Sequence, residues 1–195
     1  MTNAGHPPAN LVYLVRHGQT ALNAEARLRG LSDPPLDDVG LAEVDRLGSA
    51  LASKKPALVI SSPLQRAITT AEAIARAAGV QTISDQRLND RDYGRHTGAV
   101  IADVVREFGS IDAAPGVESM AAVATRIANA FAQLLTEYGP GPLVLVSHDA
   151  TNKALLASID STLVDVGQRT ACWNELRLVE GQWQVASFDQ KPGAD

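Results

Sequence analysis

The chain has 195 residues, 45% of them hydrophobic, a net charge of −5 and a sequence pI near 5.3, which fits one domain with a substantial core and excludes a second full one. Its 13 Arg and 4 Lys are scattered rather than clustered, which argues against a nucleic-acid surface, and the lone cysteine, Cys172, excludes an internal disulfide. With neither a signal-peptide pattern near the amino terminus nor a run approaching the roughly 18 apolar residues of a membrane span, a soluble, cytoplasmic protein with no membrane contact is expected.

Residues 1–10 are small, polar and proline-containing and read as a flexible tail; residues 191–195 read the same way, leaving one domain over 11–190. Five apolar residues, Leu11 to Val15, are too few for a helix and suit a strand covered on both faces. They end in Arg16-His17-Gly18, which puts an Arg and a His at the carboxyl end of a strand, where open α/β sheets bind ligands. Asp37 and Asp38 then start a helix with Leu41, Val44, Leu47 and Leu51 on one face. A strand over 57–61 runs into Ser62-Pro63-Leu64-Gln65, a capping-box pattern with Ser62 as cap, and the helix it opens extends to Gly79 with Arg66 in its first turn. A strand is predicted over 80–84, a short helix over 99–108, and a longer one over 119–138 stopped by Gly139. The strand over 142–147 delivers Ser147-His148 ahead of a helix containing Asn152 and Lys153. Finally, Cys172–Val179 and Gln182–Phe188 alternate as two antiparallel strands joined at Glu180-Gly181.

Taken singly, an Arg in a first helical turn is usually solvated, and a His after a strand is usually structural. Together, three basic strand-end motifs on one sheet edge point to an anion pocket, because packing alone supplies no reason to gather cations there. Guanidinium groups bind phosphate oxygens in pairs and helix amino termini favour anions, so a phosphoryl group suits the site. His17 is the candidate nucleophile, giving a phosphohistidine, because Arg16 and Arg66 disfavour its cationic form. Arg16, Arg66 and His148, protonated or hydrogen-bonding, would hold the oxygens. A carboxylic acid on the loop Leu88–Gly94 should protonate the leaving oxygen, and both Asp90 and Asp92 are eligible. Other chemistries fail on spacing: no H-E-x-x-H or cysteine pair for a metal, no Gly-Lys pair for a P-loop, no G-x-S-x-G. A cysteine phosphatase needs five residues between Cys and Arg, and Cys172 to Arg177 leaves four.

These motifs, in this order, resemble the histidine phosphatase superfamily, whose best-known branch is the cofactor-dependent phosphoglycerate mutases. Arg16-His17-Gly18-Gln19-Thr20 with Asn23 resembles R-H-G-[EQ]-T-x-x-N, Arg29-Gly30 and Asp33 to Gly40 resemble R-G and D-x-P-L-x-x-x-G, and Ser61 to Ala67 is nearly the family consensus. Pro115-Gly116-Val117-Glu118-Ser119 is similar to P-G-G-E-S, and Val146-Ser147-His148 to V-S-H. The resemblance implies a three-layer α/β/α sandwich with a mostly parallel central sheet, and a single catalytic domain over 11–190. It selects Asp90 as the acid beside catalytic His17, His148, Arg16 and Arg66, and implies substrate contacts at Gly18, Gln19, Asn23, Arg29, Gly30 and Asp149. No cofactor and no metal are implied, the partner is a small phosphorylated metabolite, and a homodimer is compatible with the sequence.

Three positions depart from the family pattern. Asp90 stands where glutamate is usual, Asp149 where glycine is usual, and Lys153 where arginine often stands. An aspartate at 149 would repel an anionic substrate. The segment Gly94 to Gly98 replaces G-x-W-E-G, which makes His96 a loop residue. The expected activity is phosphomonoester hydrolysis. The compact stretch between the acid loop and His148 disfavours a mutase, which would close over its substrate and exclude water. A non-catalytic binder of phosphorylated ligands is the remaining alternative.

Overall fold

The computed structural model describes residues 9–164 and 166–193. Six strands, β1 (Leu11–Arg16), β2 (Leu58–Ser61), β3 (Thr82–Ser84), β4 (Leu143–Ser147), β5 (Trp173–Val179) and β6 (Gln182–Gln190), form one sheet in the order β3-β2-β4-β1-β5-β6. The pairs β3·β2, β2·β4 and β4·β1 are parallel, and β5 and β6 add antiparallel strands at one edge. Glu180 and Gly181, with φ of 51° and 80°, make the turn between them, since a two-residue hairpin favours positive φ at both positions.

Alternation along each strand creates the layers. Val12, Leu14, Ile60, Leu143 and Leu145 pack with Ile127, Leu134 and Leu155 from α5 (Met120–Tyr138) and α6 (Asp149–Ile159). Tyr13, Val15, Val59, Val144 and Val146 face the other way, against Leu47, Leu51, Ala71 and Ile74. Those last residues belong to α2 (Asp38–Ala52) and α3 (Gln65–Ala78). A smaller cluster of Leu28, Tyr93, Val104 and Ala114 sits beneath α4 (Ile101–Phe108). The result is the expected α/β/α sandwich with a mostly parallel sheet.

The expected elements are present with ends shifted by a residue or two, and α1 (Ala21–Ala24), closed by a Thr20–Asn23 capping box, is an addition. The Ser62 capping box is not formed. Ser62 N–H still bonds Val146 O at 2.9 Å on the sheet edge, so the helix starts only at Gln65. Its N–H is capped at 2.6 Å by Asp33 Oδ1 from a distant loop. A tertiary acceptor has therefore replaced the local one, and it occupies a helix-terminal donor that had been expected to face the anion.

Of the expected tails, residues 1–8 and 194–195 lie outside the described residues, but Ala9 is buried and Asn10 O accepts from Leu178 N–H at 2.9 Å. Lys191 Nζ reaches Glu43 Oε1 at 2.6 Å. Among the described residues no helix is long and apolar enough to cross a membrane.

Candidate active site

The sheet register brings the two strand-end histidines together. Arg16 pairs with Ser147 as β1 and β4 end, and His17 N–H continues the ladder to Ser147 O at 3.2 Å. Parallel strands ending level deliver the next side chains to one place, and the rings of His17 and His148 have centroids 5.2 Å apart. Behind His17 the chain passes so close to α2 that a Cβ on Gly40 would lie 2.1 Å from Gln19 O, so only glycine fits there. Asp37 caps α2 through Gly40 N–H at 2.8 Å and accepts from Gln19 Nε2 at 3.2 Å, which fixes the loop after the histidine.

His17 Nδ1 lies 2.6 Å from Gly18 O. A carbonyl can only accept, so Nδ1 carries the proton and Nε2 presents its lone pair. Arg66 Nε–H donates toward that Nε2 at 3.3 Å, while its other nitrogens donate to Ser32 O at 2.7 Å and Gly30 O at 2.8 Å. Arg66 Nη2 also pairs with Asp90 Oδ2 at 3.1 Å, and that oxygen lies 3.7 Å from His148 Nδ1. Both ring nitrogens of His148 are buried and make no hydrogen bond among the described residues, nor does Nε of Arg16 or of Arg29. Buried donors without partners are costly, and the charges of Arg16 and Arg29 act on both His17 and His148.

Burial, reinforced by Arg66, Arg16 and Arg29, holds His17 well below the ordinary imidazole value of 6.5. Burial and Arg66 do the same to His148, so of the two expected forms the neutral one prevails. Burial pushes the Asp90 carboxyl up from its ordinary value, against the pull of Arg66 and Arg29. The histidines have depressed folded pKa values, so the unfolded chain takes up protons first as pH falls below 6.5. Their stabilisation is therefore present above that pH and is lost on acidification. Each accounts for at most about 2 kcal/mol between pH 7 and 5. Asp90 has the opposite sign, its contribution being present at low pH and lost as pH rises through its elevated folded value. The urea midpoint should drop between pH 7 and 5, and the drop should shrink in His148→Gln; an undiminished drop would refute histidine charging as the cause.

The other expected site residues are placed as follows. Gly18 N–H donates to Thr70 Oγ1 at 3.1 Å. Gln19 Nε2 donates to Asp37 Oδ2 at 3.2 Å, and Asn23 Oδ1 accepts from Thr20 Oγ1 at 2.8 Å. Arg29 is buried, with Nη1 donating to Arg27 O at 3.1 Å. Gly30, at φ 52°, turns its carbonyl to Arg66. Asp149 Oδ1 lies 3.4 Å from Arg16 Nη1, and its Oδ2 lies 3.0 Å from Lys153 Nζ. His17, His148 and Arg66 are fully buried, and Arg16 and Asp149 keep side-chain exposures of 11% and 25%.

Residues outside the expected set hold the acid loop. Arg126 donates to Asn89 O and Asp90 O, both at 2.9 Å, and pairs with Glu118 Oε1 at 2.7 Å. Thr151 Oγ1 donates to Asn89 O at 3.1 Å and Ser147 Oγ to Leu88 O at 3.0 Å. Glu118 and Arg126 are eight positions apart, beyond the three- or four-residue spacing of a helical pair, and nothing local pointed from Arg126 to carbonyls so distant in the chain.

The family model described as the histidine phosphatase superfamily (branch 1) matches residues 12–191. The chain belongs to that superfamily. It is 37% identical over 159 residues to a probable phosphoglycerate mutase, GpmB, of Salmonella paratyphi C, spanning 76% of this chain and 74% of that one. It is 25% identical over 181 residues to the uncharacterized phosphatase PhoE of Bacillus subtilis, spanning 91% and 93%. Among solved structures, the native mycobacterial glucosyl-3-phosphoglycerate phosphatase superposes with a TM-score of 0.83 at 25% identity, covering 93% of this chain and 99% of that one. Histidine phosphatase superfamily relatives thus carry names from both hydrolysis and phosphoryl transfer, and the protein is an enzyme of this kind. Of the motif residues noted in the sequence, His17, Arg66, Asp90 and His148 lie together, and Asp149 pairs with both Arg16 and Lys153.

Proposed function

We propose that the protein hydrolyses small phosphomonoesters through a phosphohistidine on His17. The observation that carries this reading is the His17 ring itself, locked by Gly18 O so that Nε2 faces Arg66, beside His148 and Asp90. An incoming phosphoryl oxygen replaces Nε2 as acceptor of the Arg66 Nε–H, and the unpartnered donors of Arg16, Arg29 and His148 take the others. Nε2 attacks phosphorus in line, the bond to the leaving oxygen breaks, and Asp90, whose protonated form burial favours, gives that oxygen its proton. Ionised Asp90 then takes a proton from water, which attacks phosphorus and releases phosphate and free His17. No step calls for a metal or cofactor.

Asp90→Asn tests the proton donor. Phosphoenzyme formation from an alkyl phosphate should slow about 10²- to 10⁴-fold, against less than about tenfold for 4-nitrophenyl phosphate, whose leaving group needs no proton. Equal slowing would remove Asp90 from that role.

The relative named as a probable phosphoglycerate mutase supports a second reading, in which the phosphoryl group returns to another hydroxyl. A phosphomonoester panel with phosphate release and phosphoryl migration scored separately decides between them. Release without migration supports the hydrolase, and migration outpacing release supports the mutase.

A further inference from the structure

At the start of α6, where Asp149 follows His148, lies a cavity of about 590 Å³, within the range of small-molecule sites. Much of its wall is apolar, formed by Ile111, Met120, Ala124, Ala154, Ala157 and Val164. It is also lined by Arg91 and Tyr93, from the segment that follows Asp90, and by Asp149. The cavity meets the catalytic cluster at Asp149, whose Oδ1 lies 3.4 Å from Arg16 Nη1, so it offers room for the carbon substituent of a phosphoryl group held by Arg16.

The charges at its rim are already opposed. Arg91 Nε donates to Glu118 O at 2.6 Å, and its Nη2 pairs with Asp112. Lys153 is held by Asp149, whose other oxygen faces Arg16. A carboxylate on the leaving group would find each of these cations engaged and would approach the Asp149 carboxylate, whereas an uncharged apolar group would meet matching walls.

Resting on the phosphatase reading, we propose that the substrate's alcohol portion is an uncharged apolar group seated in this cavity, and that Asp149 discriminates against alcohols bearing a second anion. Lys153, in this arrangement, serves to hold Asp149 rather than to bind substrate.

Benzyl phosphate and 3-phosphoglycerate, both esters of non-aromatic hydroxyls, are the informative pair. Wild type should favour benzyl phosphate in kcat/KM by about tenfold or more, an effect a single unscreened charge can supply. Asp149→Asn should shift that ratio about tenfold toward 3-phosphoglycerate. Ala157→Trp, which fills the cavity, should lower the benzyl phosphate to methyl phosphate ratio. A wild-type preference for 3-phosphoglycerate, or a ratio indifferent to Asp149→Asn, overturns the proposal. If no ester were turned over, the phosphatase reading would fail, and calorimetry would still decide the cavity's preference. Benzylphosphonate binding more tightly than 2-carboxyethylphosphonate supports it, and the reverse order overturns it.

Discussion

Replacing His17 by alanine should eliminate the phosphoenzyme and lower phosphate release by about 10⁴-fold or more, the scale on which a covalent nucleophile is missed. The ring is fully buried and oriented by one short bond to Gly18 O, so the fold presents a single nitrogen to the cluster. Alanine leaves Arg16, Arg29, Arg66 and His148 in place, so the anion pocket persists and orthovanadate should still bind. The measurement is acid-labile radiolabel on the protein after quenching during turnover of a labelled phosphomonoester, in parallel with released phosphate. Label surviving in the variant would place the phosphoryl group on another residue and end the assignment. Retained vanadate binding separates loss of the nucleophile from loss of the fold.

Arg66→Ala should damage stability and substrate handling together. The guanidinium is fully buried, and its removal leaves Gly30 O, Ser32 O and the Asp90 carboxyl without their donor. Each buried acceptor left without its donor costs about 1–3 kcal/mol. Asp90 would respond by holding its proton to higher pH, since Arg66 is the larger of the two cationic influences that restrain it. Arg66→Lys should restore the charge without the fork that spans two carbonyls and a carboxylate, recovering part of the stability and little of the phosphate affinity. Urea unfolding and KM, measured on both variants, test this. A loss below about 1 kcal/mol with unchanged KM would show that the guanidinium anchors neither loop nor substrate.

Element type and the strand-end chemistry were legible because both are written in short-range pattern. Leu11 to Val15 and Leu143 to Val146 declare strands covered on both faces by composition alone, and Arg16-His17 and Ser147-His148 follow at once. A strand that ends in a functional residue delivers it to the sheet edge whatever the rest of the chain does. Glu180-Gly181 likewise announced its hairpin, since few residue pairs accept positive φ twice.

Partners from remote segments were not legible. Ser62 and Gln65 had the spacing of a capping box, yet Asp33 supplies the cap, because the sheet keeps Ser62 as a ladder donor to Val146. Asp149 looked like a repulsive intruder, but the fold sets it between Lys153, one turn along its helix, and Arg16, 133 positions away. The acid loop owes its position to Arg126 and Thr151, whose donors reach backbone carbonyls that carry no residue-specific signal. Periodicity and motif order thus specify which elements form and which edge holds the chemistry. The charge state and freedom of each group there depend on burial and on the β1·β4 register, long-range quantities that exist only once the layers have packed.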